Sequence, residues 1–294
     1  MYVVAGVSGR TGRAAAESLL ERGRPVRVIV RDPEKGEEWR RRGAEVAIAS
    51  LDDAAAVSRA MSGAEGAYLL VPPAYGDADV LGRQGEVTDA LAEAVRSTGV
   101  PHVVLLSSVG GQHESGTGLI LALRRAERAM RDAAKRLTIL RASYFIENWA
   151  PVLSEAREKG VLPTFLTPDR RIPMIATRDI GRAAARALAE APAASRILGL
   201  AGPREWSPAD VAGELGAILE REVRLLPLPV EAAAPAMQSV GMSPGAAALY
   251  QEMIEGLNSG RVAFDRPPDD DWRGTLGIAD VLGPMLDAGG AEGV

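Results

Sequence analysis

Apolar and polar positions alternate along this chain in blocks. Short apolar runs suit strands buried on both faces. They fall at Tyr2 to Ala5, Val26 to Val30, Glu45 to Ala49, Gly66 to Val71, His102 to Ser107 and Leu137 to Arg141. Between them lie stretches with apolar residues at helical intervals: Arg13 to Arg22, Glu37 to Arg42, a segment opened by Ser50 to Asp53 and closing at Met61, Asp79 to Thr98, and Ile120 to Ala134. Strict strand–helix alternation predicts a parallel sheet wound on both faces. Ser50 or Asp52 is a predicted cap of the third helix. After Trp149 the alternation weakens. Strand-like runs cover Arg171 to Thr177, Arg196 to Ala201 and Glu222 to Pro229. Helices are predicted over Asp179 to Glu190, after Ser207-Pro208, around Met237, Met242, Tyr250 and Met253, and over Thr275 to Leu286, with a loop at 267–272. The expected organisation is a doubly wound α/β domain over 1–148, completed by elements returning near 171–202. A smaller α/β substrate lobe is expected over 149–294.

The first connection carries chemistry. Gly6, Gly9 and Gly12 stand at three-residue spacing between the first strand and its helix, with Ser8, Arg10 and Thr11 among them. Such a turn lets a pyrophosphate approach main-chain amides at a helix start, where the dipole favours negative charge. Arg31 ends the second strand and Lys35 follows four residues later, two cations suited to a 2′-phosphate. Asp32 lies between them. An acid in this region holds ribose hydroxyls in an NAD site, so NADP(H) is preferred and NAD(H) is the alternative. Leu70, Val71 and Pro72 fall at the carboxyl edge of the sheet, where ligands bind. Asp52 is placed at the adenine.

Ser107 and Ser108 end the fifth strand and are candidate donors to a substrate oxygen. Tyr144 and Phe145 follow the sixth strand, in place to pack on a flat ring, and Tyr144 is a further candidate donor to the substrate oxygen. No tyrosine has a lysine four residues on, so a Tyr-x-x-x-Lys proton relay is absent. His113, in a polar, glycine-rich segment expected to be mobile, is a further candidate for proton transfer.

Composition narrows the classes. The chain has 294 residues, 47% of them hydrophobic, and no cysteine, which removes disulfides and thiolate chemistry. With two histidines, no histidine-rich metal site is expected. A net charge of −5 argues against nucleic acid as a partner. No run reaches the ~18 apolar residues of a membrane span. A cytoplasmic protein without metal or flavin is expected, with a homodimer left open.

The stretches Gly6 to Gly12, Val30 to Lys35, Leu69 to Pro73, Leu106 to Gly110, Ile139 to Asn148, Arg178 to Arg182 and Leu200 to Pro203 together resemble NmrA-like proteins, atypical short-chain dehydrogenases. The resemblance implies a Rossmann fold binding NADP(H) or NAD(H), with Arg31 and Lys35 at positions that contact the 2′-phosphate. It implies either a reductase of quinones, azo dyes or related flat aromatics, or a nucleotide-sensing regulator that binds a partner. A tailoring enzyme of aromatic polyketide biosynthesis, or a reductase component of an oxygenase, is a further reading. Many relatives carry a histidine three residues before the acid matching Glu127. Here that residue is Arg124.

Overall fold

The computed structural model describes residues 1–190, 192–269 and 272–288. Six strands follow the expected apolar runs: β1 (Tyr2–Val4), β2 (Val26–Val30), β3 (Glu45–Ile48), β4 (Gly66–Leu69), β5 (Val103–Ser108) and β6 (Leu137–Ala142). The helices between them are α1 (Arg10–Glu21), α2 (Pro33–Arg41), α3 (Ala54–Met61), α4 (Val80–Thr98) and α5 (Ile120–Ala133). Then come β7 (Tyr144–Phe145), a 3-10 segment (Ile146–Val152), α6 (Leu153–Lys159), β8 (Val161–Thr164), β9 (Ile172–Ile175), α7 (Thr177–Glu190) and β10 (Arg196–Leu200). The chain continues through β11 (Glu205–Trp206), α8 (Pro208–Ile218), β12 (Arg224–Pro227), α9 (Ala233–Ser239), α10 (Pro244–Ser259) and α11 (Ile278–Asp287).

The central sheet runs β10-β6-β5-β4-β1-β2-β3, all parallel. Its order reverses between β1 and β4, the switch point where a doubly wound sheet opens a crevice at its carboxyl edge. Period-two alternation sends Tyr2, Val4, Tyr68 and Val104 to one face, packed with residues of α1 and α7. Val3, Ala67, Val103 and Leu105 face the opposite side, with residues of α3, α4 and α5. On the first face α1 and α7 meet closely: a Cβ on Gly181 would lie 2.4 Å from the Ala14 methyl. A third apolar cluster is built by the second half of the chain around Trp149, Met174, Trp206, Leu215 and Ile254. There β9 pairs with both β7 and β11, and β12 pairs with β8.

Several boundaries differ from expectation for local reasons. Helix α1 starts at Arg10 rather than Arg13, with Gly9 as its N-cap, so the glycine turn is itself the helix start. Asp53, not Ser50 or Asp52, caps α3 by accepting from the Ala56 amide at 2.9 Å. Asp52 instead pairs with Arg83 of α4. Met242 lies in the turn between α9 and α10, not in a helix. Ser207 caps α8 as expected, with Pro208 at N1 and Asp210 completing a capping box. Of the loop expected over 267–272, Asp270 and Asp271 lie outside the described residues. Among the described residues no helix is long and apolar enough to cross a membrane.

At the amino end of β5, His102 is 1% exposed and shares a hydrogen bond with the Thr138 hydroxyl. Burial, helped by Arg136 and Arg196, pushes its pKa down to about 4 from the usual 6.5. Between those values the unfolded chain binds a proton that the folded chain refuses. Stability is therefore full above pH 6.5 and falls as pH drops toward 4, by about 3 kcal/mol. Urea unfolding across that range should show the loss, and His102→Gln should flatten the His102 part of the slope.

Candidate active site

The crevice is built around the turn from β1 to α1. Gly6 holds φ +69°, in the left-handed region that favours glycine. A Cβ on Gly12 would stand 2.4 Å from the Gly6 carbonyl oxygen and 2.6 Å from that of Ala5, so only glycine lets α1 approach β1 this closely. At Gly9 the nearest atom to such a Cβ is 3.4 Å away, which leaves this position open on its outer side. Ser8, Gly9 and Arg10 are exposed, while Thr11 is buried beneath them. The start of α1 is thus exposed and bordered by glycine, an arrangement that suits a diphosphate.

Arg31 at the end of β2 and Lys35 in the first turn of α2 are both exposed. Arg10, Arg31 and Lys35 have no ion pair or hydrogen bond among the described residues. Asp32 between them is occupied: its carboxylate accepts from the Glu34 amide at 2.9 Å and caps α2. Asp52 lies just past β3, and its carboxyl is held below the usual range by hydrogen bonds from Ser50 and Arg83. Leu70 closes over the turn, 2.7 Å from where a Gly6 Cβ would be. Pro72 accepts from the Gln84 side chain at 3.2 Å. The Val71 side chain, expected at the ligand, instead packs into the core beside α3 and α4, leaving only its backbone at the sheet edge.

At the end of β5 the hydroxyls differ from expectation. Ser107 is 2% exposed and donates to Glu127 Oε1 at 2.6 Å. Parallel register sets Ser107 beside Arg141 of β6, on the face covered by α5. Arg141 grips the same carboxylate through Nε at 2.9 Å and Nη2 at 2.8 Å. The result is a buried Ser107–Glu127–Arg141 cluster. Ser108 donates to the Val109 carbonyl at 2.9 Å. Both serine protons expected to face a substrate therefore point to acceptors within the protein.

The segment after Gly111, expected to be mobile, is tied on several sides. Arg124 donates to the Gln112 carbonyl at 2.8 Å and to Glu114 at 2.6 Å. The Gln112 side chain reaches the Ala263 carbonyl at 2.8 Å, and Arg261 holds the Ser115 carbonyl at 2.9 Å. Arg124 thus fastens the loop. His113 sits half-buried within it, 3.3 Å from the Gln112 amide nitrogen.

Tyr144 follows β6 beyond the carboxyl edge of the sheet, half-buried and edge-on to Trp149 with centroids 6.4 Å apart. Burial and the neighbouring Tyr250 raise its phenol above the ordinary value, against the opposing influence of Asn148. Tyr75, on the loop after β4, and Tyr250, on α10, are raised by burial too. The Tyr75 carbonyl accepts from the Ser243 amide at 2.8 Å, which joins that loop to the start of α10. The three phenols, neutral at neutral pH, are thus neighbours, Tyr250 lying near both Tyr144 and Tyr75. Phe145 packs instead against the core shared with Leu70 and α1, and Trp149 is buried core. Glu147 holds the first amide of α7 at 2.9 Å, which anchors the strand-to-helix return beside the site.

The glycine turn and the switch point of a parallel, doubly wound sheet define an α/β protein of the Rossmann class. More narrowly, the chain belongs to the NmrA-like family, whose model matches residues 2–247. It is 26% identical over 255 residues to the NAD(P)H azoreductase of Xenophilus azovorans, covering 86% of each chain. It is 29% identical over 255 residues to the (4-alkanoyl-5-oxo-2,5-dihydrofuran-3-yl)methyl phosphate reductase of Streptomyces griseus, covering 85% of each. Among solved structures, the NADPH complex of the NADPH-dependent quinone oxidoreductase of Escherichia coli superposes with a TM-score of 0.82 at 25% identity. That match covers 97% of this chain and all of the other.

Proposed function

We propose that the protein is an NADP(H)-dependent reductase delivering hydride to a quinone or a related flat, conjugated acceptor. The observation that carries this reading is the pairing of two features at one sheet edge. One is a glycine turn with three exposed cations, Arg10, Arg31 and Lys35, on or near it in the chain. The other is a group of neutral phenols, Tyr75, Tyr144 and Tyr250, carried by the segments that follow β4 and β6 and by α10. The reductases among its relatives support it.

In this reading the amides at the start of α1 hold the diphosphate, and Arg31 with Lys35 hold the 2′-phosphate. Asp32 is engaged as a helix cap, which favours NADP(H) over NAD(H). Asp52, fixed by Arg83, lies by the adenine. The bound reduced nucleotide supplies the hydride. Tyr144 donates a hydrogen bond to the acceptor oxygen as negative charge grows there, with Tyr75 and Tyr250 bounding the cleft. Hydride and one proton together convert quinone to hydroquinone. A quinone oxygen becomes a phenolate that water protonates, so no Tyr-x-x-x-Lys relay is required.

Incubating the protein with NADPH and a panel of quinones, azo dyes and unsaturated lactones tests the reading through absorbance at the nicotinamide band. Oxidation with at least one acceptor is expected. Tight nucleotide binding with no oxidation by any acceptor would favour the regulator instead. Separately, Arg31→Ala should weaken NADPH binding by about tenfold and leave NADH binding nearly unchanged, as read by calorimetry. Equal effects on both would remove Arg31 from the 2′-phosphate.

A further inference from the structure

A second concavity lies away from the crevice, on the face of the sheet that α5 covers. It is a groove of about 620 Å³ running past the outer strand β10, large enough for a small organic molecule. Its floor includes Ile197, which is only half-buried, and its walls are the side chains of Arg131, Arg141, Arg196, Asp265 and Arg266. The aliphatic stems of arginines give such walls an apolar surface beneath charged heads.

Among the described residues the charges in this groove do not balance. Arg141 is held by Glu127, and Arg131 reaches the same carboxylate only at 3.7 Å. Arg196 pairs with Glu190 at 2.7 Å, while its Nε is buried with no acceptor. Arg266 has one partner among the described residues, the Ile197 carbonyl at 2.7 Å. Asp265 is 59% exposed and stands 4.0 Å from Arg141. Among the described residues Arg196 shares Glu190 with Arg186, Arg131 shares Glu127 with Arg141, and Arg266 meets no carboxylate, so the groove carries excess positive charge beside an apolar floor.

We propose that this groove is a second binding site, taking a flat aromatic monocarboxylate. Its carboxylate meets Arg196 and Arg266, which offer forked donors, and its ring lies on Ile197 and the arginine stems. The groove is separate from the nucleotide crevice, yet Arg141 in its wall reaches Ser107 through Glu127.

The test uses the full chain saturated with NADP⁺, so that the crevice is filled. Naphthalene-2-carboxylate and the uncharged naphthalene-2-methanol are titrated separately by calorimetry. Saturation by the carboxylate at one per chain is expected, with the alcohol weaker by about tenfold. Arg266→Glu should weaken the carboxylate by about tenfold and leave NADP⁺ affinity unchanged. Absence of saturation, equal binding of acid and alcohol, indifference to Arg266→Glu, or competition between the carboxylate and NADP⁺ would each overturn the proposal.

Discussion

Gly12→Ala is expected to destabilise the protein by about 3 kcal/mol and to abolish nucleotide binding. The added methyl would lie 2.4 Å from the Gly6 carbonyl oxygen, 2.5 Å from its carbon and 2.6 Å from the Ala5 carbonyl oxygen. These are main-chain atoms of the turn itself, so no side chain can swing aside. Relief requires α1 to move off β1. That motion carries away the amides that face the diphosphate and disturbs the close seat of α1 on α7 at Gly181. Urea unfolding and nucleotide calorimetry on the same variant read both losses. A Gly9→Ala control meets nothing nearer than 3.4 Å and should keep its stability. Near-native stability in Gly12→Ala would mean that the turn is looser than described.

The second large effect is expected at Glu127. Glu127→Ala leaves the Arg141 guanidinium, with a side chain 9% exposed, without its bidentate partner. An uncompensated buried charge of this kind costs about 3–5 kcal/mol. The same change removes the acceptor of the Ser107 proton, so the hydroxyl at the end of β5 becomes free to rotate. Glu127→Gln retains an acceptor oxygen and should recover part of the stability. A double variant that also replaces Arg141 by leucine should lose less than Glu127→Ala alone, because no orphaned charge remains. Denaturant midpoints for the set measure this directly. Additive losses would show that the pair is not energetically coupled.

Much of the central sheet was readable because its signals are local. An apolar run followed by three spaced glycines and an alanine-rich helix is a short-range pattern, and β1, α1 and β2 follow it. Exact positions are ambiguous where neighbouring residues offer the same chemistry. Asp52 and Asp53 can each cap a helix, and only the turn geometry selects Asp53. The two-residue strands β7 and β11 lie below any periodic signal and exist through pairing with the distant β9. The family relation, read from the full set of motifs, extends over residues 2–247.

The site was legible only in part for the same reason. Its glycines and cations are contiguous in sequence. The Ser107 environment is assembled from β5, α5 and β6, which no single run of sequence brings together. A signal was present in two places. Glu127 interrupts the apolar stripe of α5 between Ala126 and Met130, and Arg141 interrupts the apolar run of β6. Two opposite charges at buried positions on adjacent elements demand each other. Tyr75 and Tyr250 likewise come together only when α10 folds back on the loop after β4. The restraint of the His113 loop depends on Arg124 and on Arg261, far away in sequence.

Everything proposed for the crevice depends on a phosphorylated dinucleotide lying across the start of α1. Titrating the full chain with NADPH and then with NADH in a calorimeter tests this most directly. The account predicts saturation by NADPH at one per chain and binding of NADH weaker by about tenfold. Absence of saturable heat with either nucleotide would contradict it.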